Sequence, residues 1–128
     1  MQTTGLNHVV LTVSNTERSR AFYGDLLGFQ ITVMEKDPDK SFWFPCGGVQ
    51  FFFFPSRQPV PNDRFNEFRI GLDHLSFSAL SMEALQEFAE KLIAAGIDTK
   101  GVEQFVPTGN WYVAFRDPDN IQLEYWLP

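Results

Sequence analysis

Cysteine occurs once in the 128 residues, at Cys46, and histidine only twice, at His8 and His74. One thiol cannot form an intrachain disulfide, and beside Gly47-Gly48 with no clear base it reads as a small apolar side chain rather than a nucleophile. Basic charge is scarce: ten Lys and Arg face sixteen Asp and Glu, for a net charge of −6 and a pI near 4.7, and the cations form no run. Phosphate backbones require clustered cations, so a nucleic-acid partner is excluded. No apolar stretch approaches the roughly 20 residues that cross a bilayer, and Met1-Gln2-Thr3-Thr4 carries no basic region followed by an apolar core; the expectation is a cytoplasmic protein with no membrane partner. With 44% hydrophobic residues, the chain 1–128 is one domain's worth of material, too short for two independent cores.

What is present is a repeat. Gly5-Leu6-Asn7-His8 returns as Gly71-Leu72-Asp73-His74, 66 residues on (74 − 8), and each copy opens a stretch that reads strand, capped helix, glycine, strand. Modules that present a histidine at the same point of their first strand can bring the two imidazoles together about a pseudo-twofold axis. In the first copy, residues 6–13 are predicted to form a strand. Ser14 or Asn15 then caps a helix to about Leu27, ended by Gly28, and strands follow at 29–35, 41–44 and 49–54, the last apolar on both faces. Residues 55–70, with three prolines and three arginines, form the linker. The second copy has a strand at 72–79, a helix from Ser81 to Ala95 closed by Gly96, and strands at 97–100, 111–116 and 121–127, with a tight turn at Asp117-Pro118-Asp119-Asn120. The expected fold is α+β, two paired βαβββ modules at 5–54 and 71–128.

Alternate residues of a strand point to opposite faces, which decides which side chains can meet. Val9, Leu11 and Val13 form the helix-facing set of the first strand and leave His8 on the other surface. Leu75, Phe77 and Ala79 do the same for His74, and Ile121, Leu123, Tyr125 and Leu127 for Gln122, Glu124 and Trp126. Both histidines and one glutamate thus share a side. Two imidazoles and a carboxylate make a facial metal site with coordination positions left open, an arrangement suited to catalysis rather than to structure.

Four stretches carry a family resemblance: His8-Val9-Val10-Leu11-Thr12-Val13; Ala21-Phe22-Tyr23-Gly24-Asp25-Leu26-Leu27-Gly28-Phe29; Gly71-Leu72-Asp73-His74; and Phe115-Arg116-Asp117-Pro118-Asp119-Asn120-Ile121-Gln122-Leu123-Glu124. In these the chain resembles, over nearly its whole length, the vicinal oxygen chelate superfamily, which includes glyoxalase I, extradiol dioxygenases, methylmalonyl-CoA epimerase, fosfomycin-resistance proteins and bleomycin-binding proteins. The resemblance implies modules that each curl into half of a mixed-sheet cup, the glyoxalase/bleomycin resistance/dioxygenase fold, with metal ligands on the first and fourth strands of each. His8, His74 and Glu124 carry over as ligands. The fourth position falls near the middle of 49–54, where the natural register places Phe52; Gln50 shares its face and would supply an amide oxygen in a slipped register.

That departure sorts the subfamilies. Glyoxalase I and the epimerase use four ligands, which this chain matches only if Gln50 substitutes. Extradiol dioxygenases use three, which favours Fe(II) or Mn(II) and oxygen chemistry, although their seventh-strand tyrosine falls at Ala114. Fosfomycin-resistance proteins have a threonine where Val10 stands and a basic segment beyond the carboxylate. Bleomycin-type binders generally have no metal set. Arg57, Arg64 and Arg69 read as a solvated linker or as attractors of an anionic substrate.

The expected protein is therefore a homodimeric enzyme dependent on a divalent metal ion (Fe2+, Mn2+, Zn2+ or Ni2+) that chelates adjacent oxygens of a small-molecule substrate in a dioxygenase-like three-ligand site. His8, His74 and Glu124 hold the metal, Glu124 also moves a proton as the catalytic residue, and Gln50, Phe52, Tyr112 and Trp126 line the pocket. A glyoxalase-like lyase or isomerase and a metabolite- or drug-binding resistance protein are the alternatives.

Overall fold

A computed structural model describes residues 2–128. The chain divides into two compact units, the first ending at Asp63 and the second running Arg64–Pro128. Each is a four-stranded mixed sheet with a helical crossover, the α+β βαβββ plan expected from the repeat. Among the described residues no helix is long and apolar enough to cross a membrane.

The first unit comprises β1 (His8–Val13), α1 (Thr16–Arg20) continuing into a π-helix (Ala21–Leu26), β2 (Thr32–Val33), β3 (Phe42–Cys46) and β4 (Val49–Pro55), in sheet order β1-β4-β3-β2. Of the two capping candidates, Asn15 does the work: its side chain accepts from Arg18 N. The helix differs from expectation over its second half, Ala21–Leu26, which is π-helical. Gly24 packs so closely on Ile31 that a Cβ there would lie 2.9 Å from Ile31 Cγ1, and Gly28 closes the segment in the left-handed region at φ +85°.

Phenylalanines build this core. Phe42 and Phe44 of β3 pair across the ladder with Phe53 and Phe51 of β4, ring centroids 4.5 and 5.3 Å apart and nearly parallel, and Tyr23 of the π-helix covers Phe53 at 4.5 Å. The strand expected at 29–35 shrinks to Thr32–Val33: the Phe29 ring stacks on Phe44 of β3 at 4.1 Å and Ile31 packs on Gly24 of the helix, so both residues serve core packing instead of a ladder.

The second unit comprises β5 (Leu75–Ser78), α2 (Met82–Ala94), β6 (Val102–Phe105), β7 (Asn110–Arg116) and β8 (Gln122–Leu127), in order β5-β8-β7-β6. Ser81 caps α2, and Leu85, Ala89 and Leu92 on one face of the helix are buried where it packs on β7 and β8. Two boundaries need correction. The first strand starts at Leu75 rather than 72, and the strand placed at 97–100 lies at Val102–Phe105. Ile97 N closes the helix on Leu92 O, the Thr99 hydroxyl donates to Ala114 O, and Gly101, at φ +79°, turns the chain before pairing begins.

Candidate metal centre

The register of the second unit places its polar side chains. β5 runs parallel to β8 with Ser76 opposite Glu124, and β7 runs antiparallel to β8 with Ala114 opposite Glu124 and Tyr112 opposite Trp126. Leu75 and Leu123 turn toward the helix, so Ser76 and Glu124 turn away, and His74, just before β5, lies on the same side. His74 Nε2 is 3.4 Å from Glu124 Oε2, their side chains 37% and 11% exposed.

Glu124 is thus a buried carboxylate. Burial pushes its pKa above the ordinary carboxylate range, the His74 imidazole opposes that shift, Asp73 reinforces it, and a hydrogen bond from Ser76 opposes it. Ala114 gives this neighbourhood a small floor. One step along the strands, Tyr112 stacks on Trp126 at 5.8 Å, and burial together with Glu103 and Glu124 raises the Tyr112 phenol.

The first unit repeats the geometry with a different residue. Val10 pairs with Phe52 on the parallel β1–β4 ladder, and Val10 is the counterpart of Ser76 at the repeat spacing (76 − 10 = 66), so Phe52 holds the place that Glu124 holds in the second unit. His8 meets the Phe52 ring edge to face, centroids 5.8 Å apart at 89°. Gln50 lies opposite His8, exposed. Phe52 also stacks on Phe54 at 6.4 Å and tilts against Trp43 at 6.0 Å.

The structure therefore gathers His74 and Glu124 in one unit and surrounds His8 with Asn7, Gln50 and Phe52 in the other. Among the described residues no three His, Cys, Asp or Glu side chains form a metal-ready group on their own. The chemistry of the donors does fit a cation: an imidazole nitrogen and a buried carboxylate oxygen face each other at 3.4 Å. Cys46 is half-buried and burial pushes its thiol pKa up, which suits a side chain with no nucleophilic role.

Sequence reasoning missed three partners. Asn7 Oδ1 lies 2.7 Å from His8 Nδ1, and Asp73 Oδ1 2.6 Å from His74 Nδ1. The repeated dipeptides Asn7-His8 and Asp73-His74 carried that signal. Arg116, on the same face as Ala114 and Tyr112, grips Glu67 through Nη1 at 3.0 Å and Nη2 at 2.6 Å, a bidentate pair 49 residues apart with no signature in the sequence.

Around that pair the segment 64–67 is fastened to the turn 117–120. Phe65 N donates to Asp119 O, Asn120 Nδ2 donates to Phe65 O, and Arg64 Nη2 donates to Asn120 Oδ1. Arg64 is thus engaged within the protein rather than a free cation. The Arg116 guanidinium holds the Glu67 carboxyl down at about 2. A carboxyl whose folded pKa is depressed contributes stability above its unfolded value, near 4.5, and loses it as pH falls toward 2. Protection of the Phe65 amide against hydrogen exchange is therefore expected to fall across that window, and Glu67→Gln should flatten the dependence.

The sequence matches the Glyoxalase/Bleomycin resistance protein/Dioxygenase superfamily over residues 5–125. It is 31% identical to the uncharacterized protein YwkD of Bacillus subtilis (strain 168), covering 94% of both chains. It is also 31% identical to the metallothiol transferase FosB of Shouchella clausii (strain KSM-K16), covering 94% of this chain and 77% of that one. Among solved structures, the glyoxylase/bleomycin resistance protein/dioxygenase domain from Frankia sp. EAN1pec is similar at a TM-score of 0.80 and 33% identity, over 98% of each chain.

Proposed function

The chain belongs to the Glyoxalase/Bleomycin resistance protein/Dioxygenase superfamily, and on that footing we propose that it is a divalent-metal-dependent enzyme that chelates adjacent oxygens of a small substrate. The observation that carries this reading is the pairing of His74 Nε2 with the buried Glu124 Oε2 at 3.4 Å. Two donors on bonds of about 2.1 Å stand roughly 3.0 Å apart at octahedral angles and roughly 3.4 Å apart at tetrahedral ones, so the spacing of the pair is close to that of a metal chelate. His8, which holds in the first unit the place of His74 in the second, is the third donor. Phe52 in the place of a fourth ligand leaves a three-ligand set, which suits Fe(II) or Mn(II) and a dioxygenase-like reaction. Identity to a protein named a metallothiol transferase supports dependence on a metal.

A divalent ion held there supplies Lewis-acid polarisation of the substrate's oxygens. The protein's own residues do the rest. Glu124, whose pKa burial raises, is fitted to accept a proton from the substrate and return it. Ser76 orients that carboxylate, Tyr112 and Trp126 offer a stacked aromatic wall one step away, and Ala114 leaves room opposite Glu124. Gln50 and Phe52 complete the proposed pocket lining.

One observation favours a second reading. On the first unit's face Val10 is exposed and Trp43, Phe52 and Phe54 are half-buried, a surface suited to an apolar ligand in a metabolite- or drug-binding protein. Elemental analysis of gently purified protein separates the two. One equivalent of a divalent ion supports the enzyme, and protein free of metal that also fails to bind Fe(II), Mn(II), Zn(II) or Ni(II) supports the binder. Oxygen uptake against hemithioacetal turnover then distinguishes a dioxygenase-like from a glyoxalase-like reaction.

A second copy of the chain is the proposed macromolecular partner. Each sheet ends, within its unit, on β1 or β5 at one side, and Phe68, Ile70 and Leu80 are almost fully exposed, surface most simply buried against an identical chain. Light scattering at micromolar concentration is expected to give about twice 14.7 kDa. A monomer mass would contradict this.

A further inference from the structure

We infer that Asn7 and Asp73, the residues preceding the two histidines, are positioning residues that select the imidazole tautomer, so that each ring keeps its proton on Nδ1 and presents a bare Nε2 to a metal ion. The consequence for metal binding rests on the function proposed above; the tautomer itself does not. Both contacts are made at the same ring atom, at 2.7 Å from Asn7 Oδ1 and 2.6 Å from Asp73 Oδ1.

A carboxylate oxygen only accepts, so the proton in the second contact belongs to His74 Nδ1. A neutral imidazole has a single ring proton, and committing it to Nδ1 leaves the lone pair on Nε2. That matters because Glu124 competes for the same proton. Its Oε2 lies 3.4 Å from Nε2, and with no acceptor at Nδ1 the ring would gain most by turning an Nε2–H toward it. The shorter bond to Asp73 wins that competition, and Nε2 and Glu124 then face each other as two electron pairs that a cation can bridge.

Two different side chains, an amide and a carboxylate, stand at equivalent places in the repeats and share only an oxygen acceptor. The acceptor is therefore the common requirement. The difference between them has its own effect: a charged acceptor makes the stronger hydrogen bond and puts more electron density on the opposite nitrogen, so His74 is the stronger of the two donors.

The test uses full-length protein with 15N-labelled histidine, first free of metal and at about pH 9, above the ordinary imidazole range. The chain has only two imidazoles, so one variant of each neighbour assigns both signals. Native protein is expected to show Nδ1–H on both rings. Asp73→Ala should move His74 to Nε2–H, Asn7→Ala should do the same to His8, and Asp73→Asn should keep Nδ1–H as Asn7 does. The Asp73 side chain is 67% exposed, so its loss leaves packing intact, which circular dichroism checks. An Nε2–H form of His74 in the native protein, or an Nδ1–H form that survives Asp73→Ala, overturns the inference.

With Zn(II) added, calorimetry should show affinity about tenfold to a hundredfold weaker in Asp73→Ala and a smaller loss in Asp73→Asn. Unchanged affinity in Asp73→Ala despite the tautomer switch overturns the role in metal binding. Native protein that binds no divalent ion counts against the proposed function instead and leaves the tautomer result decisive on its own.

Discussion

His74→Ala is expected to lower divalent-ion affinity by more than about a hundredfold, beyond the tenfold to hundredfold that losing an outer partner costs a metal site. The variant removes the nitrogen that stands 3.4 Å from Glu124 Oε2 and leaves that carboxylate with no imidazole partner. Folding should hardly change. His74 is partly exposed, lies on the side of the sheet away from α2, and has no place among the buried apolar residues, so the cost should stay near the roughly 0.5 kcal/mol of an ordinary surface substitution. His8→Ala should behave alike, because His8 is exposed and its ring neighbour is Phe52 rather than a core side chain. Elemental analysis and a thermal melt of each variant are sufficient. Full metal occupancy in either would remove that histidine from the ligand set.

Phe52→Glu should move affinity in the opposite direction. The pairing of Val10 with Phe52 repeats that of Ser76 with Glu124, so a carboxylate at 52 would stand to His8 as Glu124 stands to His74. A fourth charged donor is expected to tighten Zn(II) or Ni(II) by about tenfold to a hundredfold, or roughly 1.4 to 2.8 kcal/mol. The substitution has a cost, because Phe52 packs on Trp43 and Phe54, and a loss of about 1 to 3 kcal/mol of stability should accompany the gain. Gln50→Ala is the control. Gln50 lies opposite His8, one step away from the place equivalent to Glu124, and its loss should leave affinity unchanged. A large drop in Gln50→Ala would make the amide a fourth ligand and move the four-ligand, glyoxalase-like reading ahead of the three-ligand one.

The repeat of the Gly-Leu-Asn/Asp-His tetrapeptide and the period-two alternation of strands were readable without coordinates, because both are local. They were enough to place His8, His74 and Glu124 on the faces turned away from the helices and to outline two βαβββ modules. That Phe51 and Phe53 share one face of β4 follows from the same alternation, whereas their pairing with Phe44 and Phe42 is set by the register of the folded sheet.

Long-range packing decided the remainder. Alternation shows which way Glu124 points but not that it is buried, nor that His74 stands 3.4 Å from its carboxylate, which only the folded chain decides. Phe29 and Ile31 look like strand residues in isolation, yet Phe29 stacks on Phe44 of β3 and Ile31 packs on Gly24 of the helix, and β2 keeps only two residues. Residues 97–100 have strand-like composition, but the end of α2 and the turn at Gly101 claim them first. The Arg116–Glu67 pair joins positions far apart in sequence, and no periodicity reports a contact of that kind. Local pattern sets direction and propensity, whereas burial, register ends and distant ion pairs depend on which surfaces the folded chain brings against each other.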